Sequence, residues 1–165
     1  MPILDANSLE FFSRSADQTR RIGMRLGALL ERGDLVALAG DIGAGKTTLV
    51  QGIAAGWGSM DAVSSPTYVL VNIYRRTDDQ RLAHLDAYRL SGEAEAELLD
   101  LDQLLLDGPM IVEWAPRIGS ILPEERLTIQ MEYVEEEHRQ MQAAATGERY
   151  EDLLEHMRET VFGGG

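Results

Sequence analysis

The chain has 165 residues, 44% of them hydrophobic, and a formal charge of −13. That length suits one domain over residues 1–165, with an N-terminal strand or arm at about 1–14 and a flexible tail at 161–165. An acidic chain is repelled by a phosphodiester backbone, and one without cysteine has no disulfide, thiolate metal site or thiol nucleophile.

Leu9 to Ser13 has the composition of a short first strand. Ser15-Ala16-Asp17-Gln18 then reads as a helix capping box, with Ser15 as N-cap and Gln18 reaching back. Ile22, Leu26, Leu29 and Leu30 recur at helical spacing behind it, and Gly33 is the expected stop. Arg20, Arg21 and Arg25 fall on this segment and read as a solvated face. Leu35 to Ala39 is a short apolar run of the kind buried on both faces of a sheet. A glycine-rich loop follows it, and Lys46 to Ala55 is expected as a helix stopped by Gly56 and Gly58.

Tyr68 to Tyr74 is rich in strand formers, and Leu82 to Leu85 is a second short apolar run. With Asp78-Asp79 at the turn between them, the two are expected to pair antiparallel. Ser91 stands as N-cap to one helix over Glu93 to Leu106, apolar at Leu98, Leu101, Leu104 and Leu105 and stopped by Gly108-Pro109. Met110 to Trp114 is again a buried strand. Leu127 to Tyr133 and Arg139 to Ala145 predict a hairpin around Glu135-Glu136-Glu137, and Glu148 to Thr160 a terminal helix before the tail Gly163 to Gly165. The fold class is therefore α/β: a P-loop NTPase-like three-layer sandwich whose mixed sheet has an antiparallel portion and a C-terminal hairpin.

The segment Gly40-Asp41-Ile42-Gly43-Ala44-Gly45-Lys46-Thr47 matches G-x-x-x-x-G-K-[ST], between a strand and a helix as that motif requires. Glycines let backbone N–H groups approach an anion, and the helix that begins at Lys46 adds the positive end of its dipole. Lys46 supplies a point charge for the β and γ phosphates; Thr47 offers a hard oxygen to Mg²⁺, and Thr48 a bond to the α-phosphate. Of fifteen basic residues fourteen are arginine, and Lys46 is the one lysine. The Asn-Lys-x-Asp segment that reads guanine in Ras-type proteins therefore cannot exist elsewhere in the chain, so ATP is favoured.

Phosphoryl chemistry on such a loop also needs a carboxylate for Mg²⁺ and a group to orient the attacking water. Asp86 and Glu113 each end a predicted strand, where α/β proteins place their sites. Ser64-Ser65-Pro66-Thr67 is a polar loop in the position of a first switch segment, or a turn set by Pro66.

Together, Gly40 to Thr48, Ser65-Pro66-Thr67-Tyr68, His84-Leu85-Asp86-Ala87-Tyr88-Arg89, Val112-Glu113-Trp114 and Ile121-Leu122-Pro123 resemble the bacterial ATPase subunit of the machinery that makes threonylcarbamoyladenosine (t⁶A) in tRNA, the TsaE or YjeE family. The resemblance spans about residues 15 to 145. It implies ATP phosphates on Ile42, Gly43, Ala44, Gly45, Lys46, Thr47 and Thr48, with Mg²⁺ held by Thr47 and Glu113. Lys46, Asp86 and Glu113 would be catalytic, Asp86 acting either on a metal-bound water or on the attacking water. Trp114 would be a functional aromatic, and Thr67 a sensor of the γ-phosphate. His84, Tyr88 and Arg89 belong to the motif without an assigned role. Near the nucleobase the nearest matches are Ala16 or Thr19, together with Arg139.

The resemblance further implies slow, partner-stimulated ATP hydrolysis that drives turnover or reset of a TsaD-type transferase with its TsaB-type subunit. tRNA would be engaged only indirectly and no membrane is involved; the expected location is the cytoplasm, since the sequence shows neither a long apolar run nor a signal-like start. Two other readings use the same loop. One is a small-molecule kinase, which needs a mobile arginine-rich lid; the other is an assembly switch that binds nucleotide without significant hydrolysis.

Overall fold

The computed structural model describes residues 7–41, 45–63, 71–90 and 93–162. Its strands are β1 (Ser8–Ser13), β2 (Leu35–Ala39), β3 (Val71–Arg75), β4 (Arg81–Asp86), β5 (Met110–Glu113), β6 (Arg126–Glu135) and β7 (His138–Thr146). Its α-helices are α1 (Ala16–Gly27), α2 (Lys46–Trp57), α3 (Glu93–Glu97), α4 (Leu101–Asp107) and α5 (Glu148–Phe162), with 3₁₀ turns at Ala87–Arg89 and Ala115–Ile121.

The strands make one mixed sheet in the order β1-β7-β6-β2-β5-β4-β3. β2 runs parallel to both β5 and β6, and β4 parallel to β5, while the β3–β4 and β6–β7 hairpins and the β1–β7 pair are antiparallel. Every residue of β2 and β5 is buried, which explains their unbroken apolar runs. Successive strand residues point to opposite faces. Val36, Leu38, Leu82 and Ile111 join the core under α1, α2 and α5; Leu35, Ala37, Ala83, Leu85, Met110 and Val112 join a second core under α3, α4 and the Ala115–Ile121 turn. The result is the expected α/β three-layer sandwich.

The capping box forms with one change: Ser15 Oγ accepts from Gln18 N at 3.0 Å, but the Gln18 side chain reaches Arg14 N at 2.8 Å, one residue beyond the cap. α1 stops at Gly27 and not at Gly33. The N–H groups of Leu29 and Leu30 bond to Leu26 and Gly27 in tight turns, and Gly33, at φ +90°, bends the chain into β2. α2 does not stop at Gly56 but continues to Trp57, and Gly58 (φ +104°) caps it through N–H bonds to Ala54 and Ala55. The single helix expected over Glu93 to Leu106 is two. Asp100 adopts φ 51° and caps α4 through Gln103 N, which leaves Leu98 84% exposed. Ser91 and the tail Gly163 to Gly165 lie outside the described residues.

Gly56 is inside the helix because α1 and α2 touch backbone to backbone. An added Cβ at Gly27 would lie 2.0 Å from Ile53 O, at Gly52 2.1 Å from Arg20 O, and at Gly56 2.0 Å from Met24 O. Gly23 and Gly27 on one helix and Gly52 and Gly56 on the other are each four apart, so each pair lies on one helical face. At the far end of the sheet, Arg149 of α5 makes a two-pronged pair with Asp34 (3.1 and 2.7 Å), and Tyr150 Oη accepts from Leu35 N at 2.9 Å. The entry to β2 is thereby tied to α5.

Gly27→Ala should lower the free energy of unfolding by about 1–3 kcal/mol or more, since backbone must move and the gain in helix propensity is smaller. A Cβ at Gly119 meets nothing within 4 Å, so Gly119→Ala should change stability by less than about 0.5 kcal/mol, with urea titration reading both variants.

Candidate active site

The loop Gly40–Thr47 leaves the carboxyl end of β2, the centre of the parallel portion of the sheet. Gly45 holds φ +96° at the start of α2, a left-handed conformation that favours glycine, and no side chain caps the helix there. Ile42, Gly43 and Ala44 lie outside the described residues, as does Thr67 with the rest of 64–70. Thr47 and Thr48 stand half-buried in the first turn of α2.

Lys46 is buried, and its ammonium is held on three sides. Nζ donates to the carbonyls of Gly40 (2.5 Å) and Asp41 (2.9 Å) and lies 4.4 Å from the centre of the Trp114 ring. Burial pushes its pKa below the ordinary lysine value, while the charges of Glu113, Asp41 and Asp86 pull it back up. The solitary lysine is thus a partly desolvated cation that feels the charges of three carboxylates.

Asp86 and Glu113 are neighbours. β4 and β5 are parallel and their register pairs Asp86 with Glu113, so both carboxylates reach the same end of the sheet. Leu82 and Ile111 face the core under α2, and a period of two places His84, Asp86 and Glu113 on that same face. Asp86 also accepts from Tyr88 N at 3.0 Å, which sets the turn after β4. Glu113 is 5% exposed, and its Oε2 is 2.5 Å from His84 Nε2; His84 Nδ1 is 2.8 Å from the Tyr74 hydroxyl. His84 thus touches a candidate site residue, a contact its position in the motif did not specify.

β5 ends because Trp114 takes φ 59°, a left-handed conformation uncommon outside glycine and found where a site demands it. The kink brings the indole over Lys46 and 5.0 Å from the Tyr88 ring. Arg117 Nη1 donates to Tyr88 O at 2.9 Å, so the one arginine in this loop is tied down.

The β6–β7 hairpin closes the opposite side. A Cβ added to Gly45 would stand 3.4 Å from Arg139 Nε and 3.5 Å from the Met131 methyl. Arg139 also donates to Glu136 O (2.7 Å) and His138 O (2.9 Å) and lies over the Tyr133 ring; its Nε is buried with no hydrogen-bond partner among the described residues. Ala16 joins the same corner, its N–H 3.3 Å from Glu137 Oε1. Thr19 is 2% exposed, with its hydroxyl 2.7 Å from Oγ of Ser13, the residue that pairs with Arg139 across β1 and β7. Two cavities of about 480 and 400 Å³ run between these elements and share Asp41 and Gln130. The first is also lined by Gly40, Trp114 and Arg117, the second by Met131 and Tyr133.

Lys46, Asp86, Glu113, Trp114 and Arg139, widely separated in sequence, therefore surround one end of the sheet. Tyr74 and Gln130 join them without having been marked by any motif, and Asp41 from one of the loop motif's variable positions. Tyr74 carries only the alternation of a strand, and Gln130 lies in mid-strand on β6, opposite the last residue of β2.

A strand, a glycine loop and a helix opening at the carboxyl edge of a mixed sheet, with helices on both faces, define the P-loop-like class of α/β fold. Residues 13–141 match the family described as threonylcarbamoyl adenosine biosynthesis protein TsaE. The chain is 42% identical over 137 residues to the tRNA threonylcarbamoyladenosine biosynthesis protein TsaE of Streptomyces coelicolor, covering 79% of this chain and 93% of that one. It is 37% identical over 150 residues to the protein of the same name from Bacillus subtilis, covering 90% and 93%. The crystal structure of Bacillus subtilis YdiB superposes with a TM-score of 0.77 at 31% identity, over 93% of this chain and 96% of that one. The chain belongs to the TsaE family. Among the described residues no helix is long and apolar enough to cross a membrane.

Because burial of Lys46 lowers its pKa, the charged form is less favourable in the folded chain than in the unfolded one. Its charge therefore costs stability below the folded pKa, and that cost disappears as pH rises toward the ordinary value of 10.5. Lys46→Met should accordingly be at least as stable as wild type to urea at pH 7, and the wild type should gain on it as pH rises toward the ordinary lysine value of 10.5.

Proposed function

We propose that this chain binds ATP with Mg²⁺ and hydrolyses it slowly, as a cytoplasmic subunit of the bacterial t⁶A37 machinery. The observation that carries the reading is the buried Lys46 ammonium between the loop carbonyls of Gly40 and Asp41, facing Glu113 and Asp86 on adjacent strand ends. Such a cation suits a polyphosphate that brings its own metal.

The residues fit that cofactor pair. Among the described residues no group of three or more His, Asp or Glu could hold a metal alone. Mg²⁺ is commonly held by one or two protein oxygens with the rest from phosphate and water, and Thr47 with Glu113 supplies that number. Bound there, the ion would offset charge on the phosphate oxygens.

Lys46 exchanges its carbonyl partners for β- and γ-phosphate oxygens. The loop from Ile42 to Gly45 and the hydroxyls of Thr47 and Thr48 complete the phosphate cradle. Thr67 would sense the γ-phosphate, and Asp86 would orient a water, either one bound to the metal or the one that attacks. Trp114 shields Lys46 from solvent, and Arg139 with Ala16 borders the nucleobase. Arg117 is bound to Tyr88 and is poor material for a mobile lid, which favours hydrolysis over transfer to a metabolite. The strong similarity to proteins named for t⁶A biosynthesis supports the pathway, with TsaD-type and TsaB-type partners whose transferase this ATPase turns over or resets. An acidic surface suits action through protein partners more than direct grip on tRNA.

Lys46→Ala should abolish ATP binding, and Asp86→Ala should lower turnover about 100-fold with ATP affinity changed less than about threefold, as for a group acting chiefly in the transition state. Equilibrium binding of a fluorescent ATP analogue and phosphate release with purified partners provide the two readouts. Nucleoside analysis of tRNA should show t⁶A formation over many turnovers only when this chain and ATP are both present. Glu113→Ala that binds nucleotide and still supports multiple rounds of t⁶A formation would instead make the protein a binding switch.

A further inference from the structure

Resting on that reading, we infer that Tyr74 and His84 are positioning residues that hold the Glu113 carboxylate in one orientation for the metal. The three side chains cross three adjacent strands, from β3 through β4 to β5, and are 3%, 0% and 5% exposed. Glu113 Oε2 is 2.5 Å from His84 Nε2, and His84 Nδ1 is 2.8 Å from Tyr74 Oη.

The direction of the chain follows from donor and acceptor chemistry. An ionised Glu113 can only accept, so the hydrogen between it and the imidazole belongs to Nε2. A neutral ring then has a lone pair at Nδ1, and the Tyr74 hydroxyl donates to it. One carboxylate oxygen is engaged by His84, so Oε1 is the oxygen that Glu113 would offer to a metal. A carboxylate buried this deeply would be costly without such a partner, and one free to rotate would bind an ion less well. His84 and Glu113 occupy the face that carries Leu82 and Ile111 farther back, so an apolar stripe turns polar only where it meets Lys46 and the loop.

A purely structural pair would be served by any buried hydrogen bond and would leave the metal dependence of turnover alone. Long-range ¹H–¹⁵N correlation spectra of the purified chain without nucleotide should show His84 protonated at Nε2, with the Nδ1 signal displaced in Tyr74→Phe. With ATP, Mg²⁺ and the partner proteins, Tyr74→Phe should lower kcat about 10-fold and raise the Mg²⁺ needed for half-maximal rate, with the KM for ATP within about twofold of wild type, the scale seen when a metal ligand loses its outer partner. His84→Gln can present an amide hydrogen near the position of Nε2 and should recover part of the turnover that His84→Ala loses. If His84→Ala fails to fold, Tyr74→Phe, which removes one oxygen, carries the test. An Nδ1-protonated ring, or a folded Tyr74→Phe with wild-type kcat and Mg²⁺ dependence, overturns the inference. A wild-type chain that neither binds nor hydrolyses ATP overturns the functional reading instead, and the imidazole signals then decide the Tyr74–His84–Glu113 geometry by themselves.

Discussion

A single buried ammonium governs the arrangement at the carboxyl edge of the sheet. Lys46 sits in the first turn of α2, where burial disfavours its charge and Glu113, Asp41 and Asp86 restore part of what burial removes. An unpaired charge in such a place would be strongly destabilising, so the carbonyls of Gly40 and Asp41, the face of Trp114 and the nearby carboxylates form one interdependent set. Displacing any of them by an ångström changes the balance at the others, because charge interactions in a poorly hydrated space fall off with distance and are little screened.

That precision depends on parts of the fold distant from the site. α2 must be fixed along its length if its first turn is to stay in register with β4 and β5. The glycines of α1 and α2 let the two backbones meet, and close-packed backbone gives little room for sliding. The half-buried Asp34–Arg149 pair and the Tyr150 hydroxyl hold the other end of β2, so the strand that launches the loop is anchored before the loop begins. The hairpin adds a third constraint through Arg139, which packs against Gly45, whose φ of +96° already disfavours a larger residue.

The site also shows how a sheet passes from core to chemistry. Along β3, β4 and β5 one face carries Tyr74, Leu82 and Ile111 and then, nearer the carboxyl edge, His84, Glu113 and Asp86. Alternation makes this possible, because polar groups can occupy one face while Leu85 and Val112 continue the apolar layer on the other. Buried polar groups in such a cluster specify one arrangement when each has a partner, and His84 has one at both ring nitrogens.

The sequence by itself determined the α/β class, the strand–loop–helix unit whose helix begins at Lys46, both hairpins and the strand-end positions of Asp86 and Glu113. Those features are local: apolar runs of strand length, turn residues and a glycine-rich spacing are written in neighbouring residues. Where helices end was less legible. Gly56 has the composition of a stop, but contact with Met24 O makes it an interior glycine, and Asp100 breaks an apolar stripe that spacing alone would continue. Only the tertiary structure decided that Asp86 faces Glu113, that Arg139 reaches Gly45, that Thr19 turns inward and that His84 joins Tyr74 to Glu113. These depend on strand order and register, and the parallel pairing of β2, β4 and β5 brings together residues dozens of positions apart, a separation over which periodicity carries no information.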